Sequence, residues 1–227
     1  MKLAGSLVIP AWIIVMVFAQ ASNAACKGLV SLEVLNKINP DAASDTYCEK
    51  VESTLGNKGE CVTNAEALEP INKAIRKFGV IERGEIVATI AWMLEESQGW
   101  KYNINHFPGN PGQGTRTLML WKYVNMYAQQ VQPNAYTKTI GAFSSDPETA
   151  DDKTKNNVRE LVLNDNDSFG AGFWYIATQA TDFHNSDTQL RDGNKEDYEV
   201  YVKKGIDTLW SDSRGTWWDK VNSTLVF

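Results

Sequence analysis

Two adjacent glutamates, Glu95 and Glu96, sit at the end of the stretch "GEIVATIAWMLEES", and no further acidic residue follows until Asp146. In a chain with 28 acidic residues this gap is conspicuous. It holds Tyr102, Asn103, Asn105, His106, Gln113, Thr115 and Arg116, which offer amides, hydroxyls and an imidazole in place of carboxylates. A carboxyl at the C-terminal end of a helix lies where the backbone dipole disfavours negative charge. Its pKa rises, which is what a general acid requires. The opposite reading is one glutamate at the core edge and one in solvent. On a helical wheel Ile86, Val87, Ile90, Met93, Leu94 and Ser97 form one face. Glu95 and Glu96 flank it on opposite sides, each about 130° from its centre, so helix geometry does not choose between them.

The elements that would position these residues are mostly helical. "CVTNAEALEPINKAIRKFG" begins with Thr63 and Glu66 at capping-box spacing and stops at Gly79. The glutamate helix follows and ends near Gly99. Residues 100–117 carry Gly, Pro and Asn at short intervals, which predicts a loop and hairpin. "TLMLWKYVNMYAQQV" returns to helical periodicity, and a short helix follows near Pro133, before the polar run 144–153. "DKTKNNVRELVLN" and the apolar "SFGAGFWYIATQA" are two more helices, and 195–226 reads as two amphipathic ones. The expected fold is mainly α (α+β), with one small β-hairpin after the helix bearing the acid.

The pattern resembles the lysozyme-like superfamily: lytic transglycosylases, goose-type lysozymes and plant-type chitinases. The residues that carry the resemblance are "Glu96-Ser97" at a helix end and "Gly112-Gln113-Gly114-Thr115-Arg116" before an apolar helix. "Ser168-Phe169-Gly170-Ala171-Gly172-Phe173-Trp174-Tyr175" and the closing "SRGTWWDKVN" add to it. The pair "YNINHFPG" and "GQGTR" is similar to a stretch of secreted fungal proteins. The resemblance implies a lysozyme-like helical domain over 63–227 and chooses Glu96 over Glu95 as a lone general acid. Plant-type chitinases carry their second carboxylate in the hairpin, and this chain has none there; Asp165, Asp167 and Asp182 are the acids that the fold could bring in. A glycosidase with one carboxylate needs the substrate's own 2-acetamido group or a positioned water. The resemblance thus implies cleavage of N-acetylated polysaccharide, as a peptidoglycan muramidase or a chitinase, without a cofactor. Tyr102, Asn105, His106, Gln113, Thr115, Trp174 and Tyr175 are the candidate substrate contacts. Hairpin bonding is the structural alternative for Gln113 and Thr115, turn chemistry for Tyr102 and Asn105, and core packing for Trp174 and Tyr175. His106 has a loop hydrogen bond as its alternative role, and Trp92, Trp210, Trp217 and Trp218 read as packing. The competing expectation is a non-catalytic secreted glycan binder or effector on the same scaffold.

At the N-terminus, Lys2, the apolar run Leu7–Phe18 and the small residues up to Ala24 read as a signal peptide over 1–24. The predicted mature chain is secreted and monomeric, with no membrane association once the signal is removed. Loss of Lys2 takes the net charge from −6 to −7, which argues against a nucleic-acid partner. Residues 25–62 read as an irregular, Cys-containing extension. Cys48–Cys61 is the first choice of disulfide, with Cys26 left free or joined to another chain, and Cys26–Cys61 is the alternative pairing. With His106 and His184 as the only histidines, no metal site is expected. Asn166 and Asn222 stand in glycosylation sequons.

Overall fold

The computed structural model describes residues 29–57, 59–140, 149–187, 189–190 and 193–226. The predicted signal peptide, Cys26 and part of the polar run 144–153 lie outside them. Among the described residues the protein is helical, and no helix is long and apolar enough to cross a membrane. Residues 29–62 are not the irregular extension that their composition predicts. They form α1 (Leu32–Ile38), a 3-10 turn (Pro40–Ala43) and α2 (Tyr47–Leu55). Val30, Leu35, Ile38 and Ala42 belong to the same buried apolar cluster as the rest of the chain. Burial of these side chains removes apolar surface from water and ties the segment to the domain.

Next come α3 (Asn64–Phe78) and α4 (Arg83–Glu96). The capping box at Thr63 and Glu66 forms, and Gly79 ends α3 in the left-handed conformation at φ 67°. Helix α4 is apolar nearly all round, with Gly84 to Leu94 buried without a break. A helix with no polar face belongs in the centre of a bundle. There it meets α8 (Asp165–Thr178) on one side and α10 (Asp212–Thr224) on another. Gly172 allows the approach of α8, since a Cβ there would lie 2.9 Å from the Thr89 methyl of α4. The other helices, α5 (Trp121–Val131), α6 (Pro133–Ile140), α7 (Asp152–Glu160) and α9 (Lys195–Val200), complete the bundle, and α9 runs on into a π turn at Tyr201–Gly205.

The predicted β-hairpin does not form strands. Residues 100–120 hold two isolated antiparallel bridges, Ile104 with Gly114 and Gly114 with Met119. Positive φ at Gly109, Gly112, Thr115 and Leu118 turns the backbone away from a ladder, and Pro108 and Pro111 lack the N–H that one needs. Side chains hold the loop instead. The Asn105 and Asn110 amides both donate to Gln113 Oε1, at 2.6 and 2.8 Å, and the Gln113 amide donates to the Leu118 carbonyl at 2.7 Å.

Candidate functional site

The end of α4 meets the start of α10. Two consecutive residues of one helix are matched to two of the other, 118 positions apart: Ser213 donates to Glu95 Oε2 at 2.6 Å, and Arg214 Nη2 donates to Glu96 Oε1 at 2.6 Å. Both pairs follow from the direction in which α10 crosses α4. They separate the two glutamates that the wheel leaves equivalent. Glu96 lines two cavities, each about 180 Å³. One lobe lies between Trp92, Tyr123 and Tyr175 on one wall and Ile206, Asp207 and Thr208 on the other. The second is formed by Gln98, Tyr102, Ile104, Asn105, His106 and Phe107. Glu96 and Leu118 line both lobes.

The Glu96 side chain is 21% exposed and that of Arg214 11%. Burial pushes the Glu96 carboxyl above the usual carboxylate range, and the neighbouring Glu95 charge adds to this; the Arg214 charge and hydrogen bond, with a hydrogen bond from Trp92, act in the other direction. Desolvation disfavours the ionised form more strongly than the guanidinium favours it. Glu96 is therefore a carboxyl on a cavity wall, hydrogen-bonded to Arg214, whose protonated form is favoured by burial.

The other residues singled out in the sequence divide into two groups. Tyr102, Asn105, His106 and Tyr175 line the cleft, as does Gln113, although its amide is engaged within the loop. Tyr175 donates to the Gly205 carbonyl at 3.1 Å, and its ring meets those of Trp92 and Tyr123 edge-on. Thr115 and Trp174 are not in the cleft. Thr115 is completely buried, with its hydroxyl 3.0 Å from that of Thr117. Trp174 is 1% exposed and donates to Gln130. Adjacent helical residues point about 100° apart, so Tyr175 reaches the cleft while Trp174 faces α5. Asp165 lies 3.6 Å from Arg116, Asp167 accepts from Gln132 and Asn164, and Asp182 is exposed; none of the three lines either lobe.

Sequence reasoning missed three participants. Arg214 appears only as part of a closing motif, because a partner so distant along the chain has no local signal. Trp92, read as packing, stands one turn before Glu96 and so shares its cleft. Asp207 is the second carboxylate of the first lobe, at φ 52° just after the π turn, and nothing in its neighbourhood marks it.

Elsewhere, the disulfide Cys48–Cys61 is present, with its Cα atoms 5.4 Å apart. Among the described residues no group of three His, Cys, Asp or Glu could hold a metal ion. Asn166 is exposed and accepts from Lys73, whereas Asn222 is half-buried and accepts twice from Arg83, through its side chain and its backbone carbonyl.

No family model matches the sequence, and no solved structure matches it. One curated protein is similar: a bifunctional dioxygenase (DOX)-epoxy alcohol synthase (EAS) of Fusarium oxysporum (strain Fo5176), 32% identical over 124 residues. The match takes in 55% of this chain but only 8% of that protein. It overturns the expected glycoside hydrolase or lyase, and with it the glycan binder or effector that stood as its alternative, because the similar protein is named for oxygenase and epoxy alcohol synthase activities. The residues agree with the correction: Thr115 and Trp174, two of the expected substrate contacts, have no surface to offer a substrate.

Proposed function

We propose that this chain is a helical module with an acid–base site, in which Glu96 transfers a proton to an oxygen of an uncharged, elongated ligand lying along the two lobes. The observation that supports this most is that Glu96 lines both lobes, with the pKa of its carboxyl raised by burial. Perturbed carboxyls in clefts are the groups that proton-transfer sites use. Arg214 gives the site its cycle. It stabilises the carboxylate after the proton has left and orients the carboxyl before. An uncharged ligand fits because the guanidinium is already paired and Asp207 would repel an anion. Trp92, Tyr123 and Leu118 offer the apolar side of such a ligand a surface, and the Gln98 amide offers it a hydrogen bond.

The name of the Fusarium protein supplies the ligand class to try first. An epoxide oxygen accepts a proton from a carboxylic acid as its C–O bond opens. Water then adds to the carbon, and the proton it loses returns the Glu96 carboxylate to the acid. The arrangement of the acid-bearing helix, the cross-linked loop and the apolar α5 also supports a lysozyme-like scaffold, as a statement of fold alone. The disulfide favours an exported protein, since such bonds persist in oxidising compartments.

The test is to incubate an epoxy alcohol with the protein and with Glu96→Gln, following ring opening by mass spectrometry. The carboxyl stretch is titrated in the infrared alongside. Opening by the wild type alone, with a carboxyl band that titrates above the ordinary range and disappears in the mutant, is expected. Equal rates in both proteins, or no such band, would overturn the proposal.

A further inference from the structure

The second lobe has no strand ladder to keep its shape, yet its wall is tightly held, and one carboxylate does most of the holding. Glu60 Oε2 accepts the backbone N–H groups of Asn103 and Ile104, both at 3.1 Å. Glu60 Oε1 lies 2.6 Å from His106 Nε2, and its own backbone carbonyl accepts from Arg116 Nη2 at 2.7 Å. Arg116, completely buried, spends its other terminal nitrogen, Nη1, on the carbonyls of Trp100 and Tyr102. Burial lowers its pKa to about 10, so it remains charged at neutral pH. The segment from Trp100 to His106 is thus pinned from beneath by one anion and one cation. Four of its residues, Tyr102, Ile104, Asn105 and His106, line the second lobe.

Glu60 itself sits on a weak foundation. The chain before it carries Gly56 and Gly59, both at positive φ, and buries little apolar surface. The residue after it, Cys61, is bonded to Cys48 of α2. Remove that bond, and what holds Glu60 to α2 is the glycine-containing loop and one hydrogen bond, from the Gly59 N–H to Glu52 Oε1 at 2.7 Å.

We propose that Glu60 is the positioning residue of the second lobe and that the Cys48–Cys61 bond keeps it in place, so that the shape of the lobe depends on the thiol redox state. The consequence for a ligand rests on the acid–base reading of the cleft; the geometry does not. A dithiol such as dithiothreitol would attack at Cys48, the less buried of the two half-cystines. Two electrons and two protons pass to the protein, the S–S bond breaks into two thiols, and dithiothreitol leaves as its cyclic disulfide.

The measurement is amide hydrogen exchange at Asn103 and Ile104, with Phe173 and Ile176 of the buried α8 as references. It is made on the full chain, oxidised and dithiothreitol-treated, with reduction checked by intact mass. Exchange at Asn103 and Ile104 rises roughly tenfold or more on reduction, the loss expected when a charged acceptor withdraws, while the α8 amides do not change. Oxidised Glu60→Met shows the same rise and a shifted His106 imidazole resonance. Glu60→Gln, which keeps one acceptor oxygen, recovers part of the protection. Unchanged exchange in the reduced protein would overturn the redox dependence, and so would equal loss in α8, which would make the bond a staple of the whole fold. Unchanged exchange in Glu60→Met would overturn the positioning role. Glu96→Gln keeps the protection at Asn103 and Ile104, so failure of the acid–base reading is seen separately.

Discussion

The two ends of α4 each carry a buried glutamate, and they differ in what surrounds the carboxyl. At the first turn, the Glu85 side chain is 2% exposed. Its Oε2 lies 2.8 Å from His184 Nδ1, and its Oε1 accepts the Asn185 N–H at 2.6 Å. At the last turn, Glu96 has one cation and an open cleft. Burial raises the pKa of both. A perturbed carboxyl alone therefore does not identify a site. Glu85 spends both oxygens on the segment that follows α8, and its role is to fasten 184–185 to α4. Glu96 keeps a face free for something that is not protein.

Four outcomes would break or sharpen this contrast. Glu85→Ala has the largest expected effect on folding, about 3 kcal/mol of stability in denaturant titration, because it leaves a buried N–H and imidazole without their acceptor. An effect no greater than that of Glu96→Ala would break the contrast. Arg214→Met costs about 2 kcal/mol in the same titration and drives the Glu96 carboxyl still higher in an infrared titration, since the charge that opposed desolvation is gone.

The third outcome concerns pH. A carboxyl whose folded pKa lies above its unfolded value binds more protons in the folded state, so its ionisation penalises folding. For Glu96 that penalty begins near pH 4.5, the unfolded value, and grows until pH passes the raised folded value. Glu96→Gln removes it. The stability difference between mutant and wild type should thus move in favour of the mutant as pH rises through this window, which chemical denaturation at several pH values reads directly. A flat difference would mean that burial does not perturb Glu96. The smallest effect belongs to Ser213→Ala. It releases only Glu95, away from the cleft, and should change stability by about 0.5 kcal/mol or less.

Local rules were enough for α3 and α4, though not for the helical 29–62. The capping box at Thr63, the glycine stop at Gly79 and the run from Ile86 to Leu94, apolar except for Thr89, each act within a few residues, so the sequence displays them. The loop at 100–120 was legible as a loop but not as a strandless one. Its order comes from Glu60, which reaches it from another part of the chain, and from the buried Arg116, which binds back across the loop to Trp100.

By itself, the sequence determined that a helix ends at paired glutamates and that an acid-poor loop follows. Those facts rest on periodicity, capping and composition, which are properties of neighbours. Only the tertiary structure decided which glutamate faces a cleft. That depends on where α10 crosses α4 and delivers Ser213 to one carboxylate and Arg214 to the other. It also brought Asp207 to the first lobe and turned Thr115 and Trp174 away from it. Burial and charge pairing are set by what packs against a side chain from far along the chain, and no local pattern carries that information.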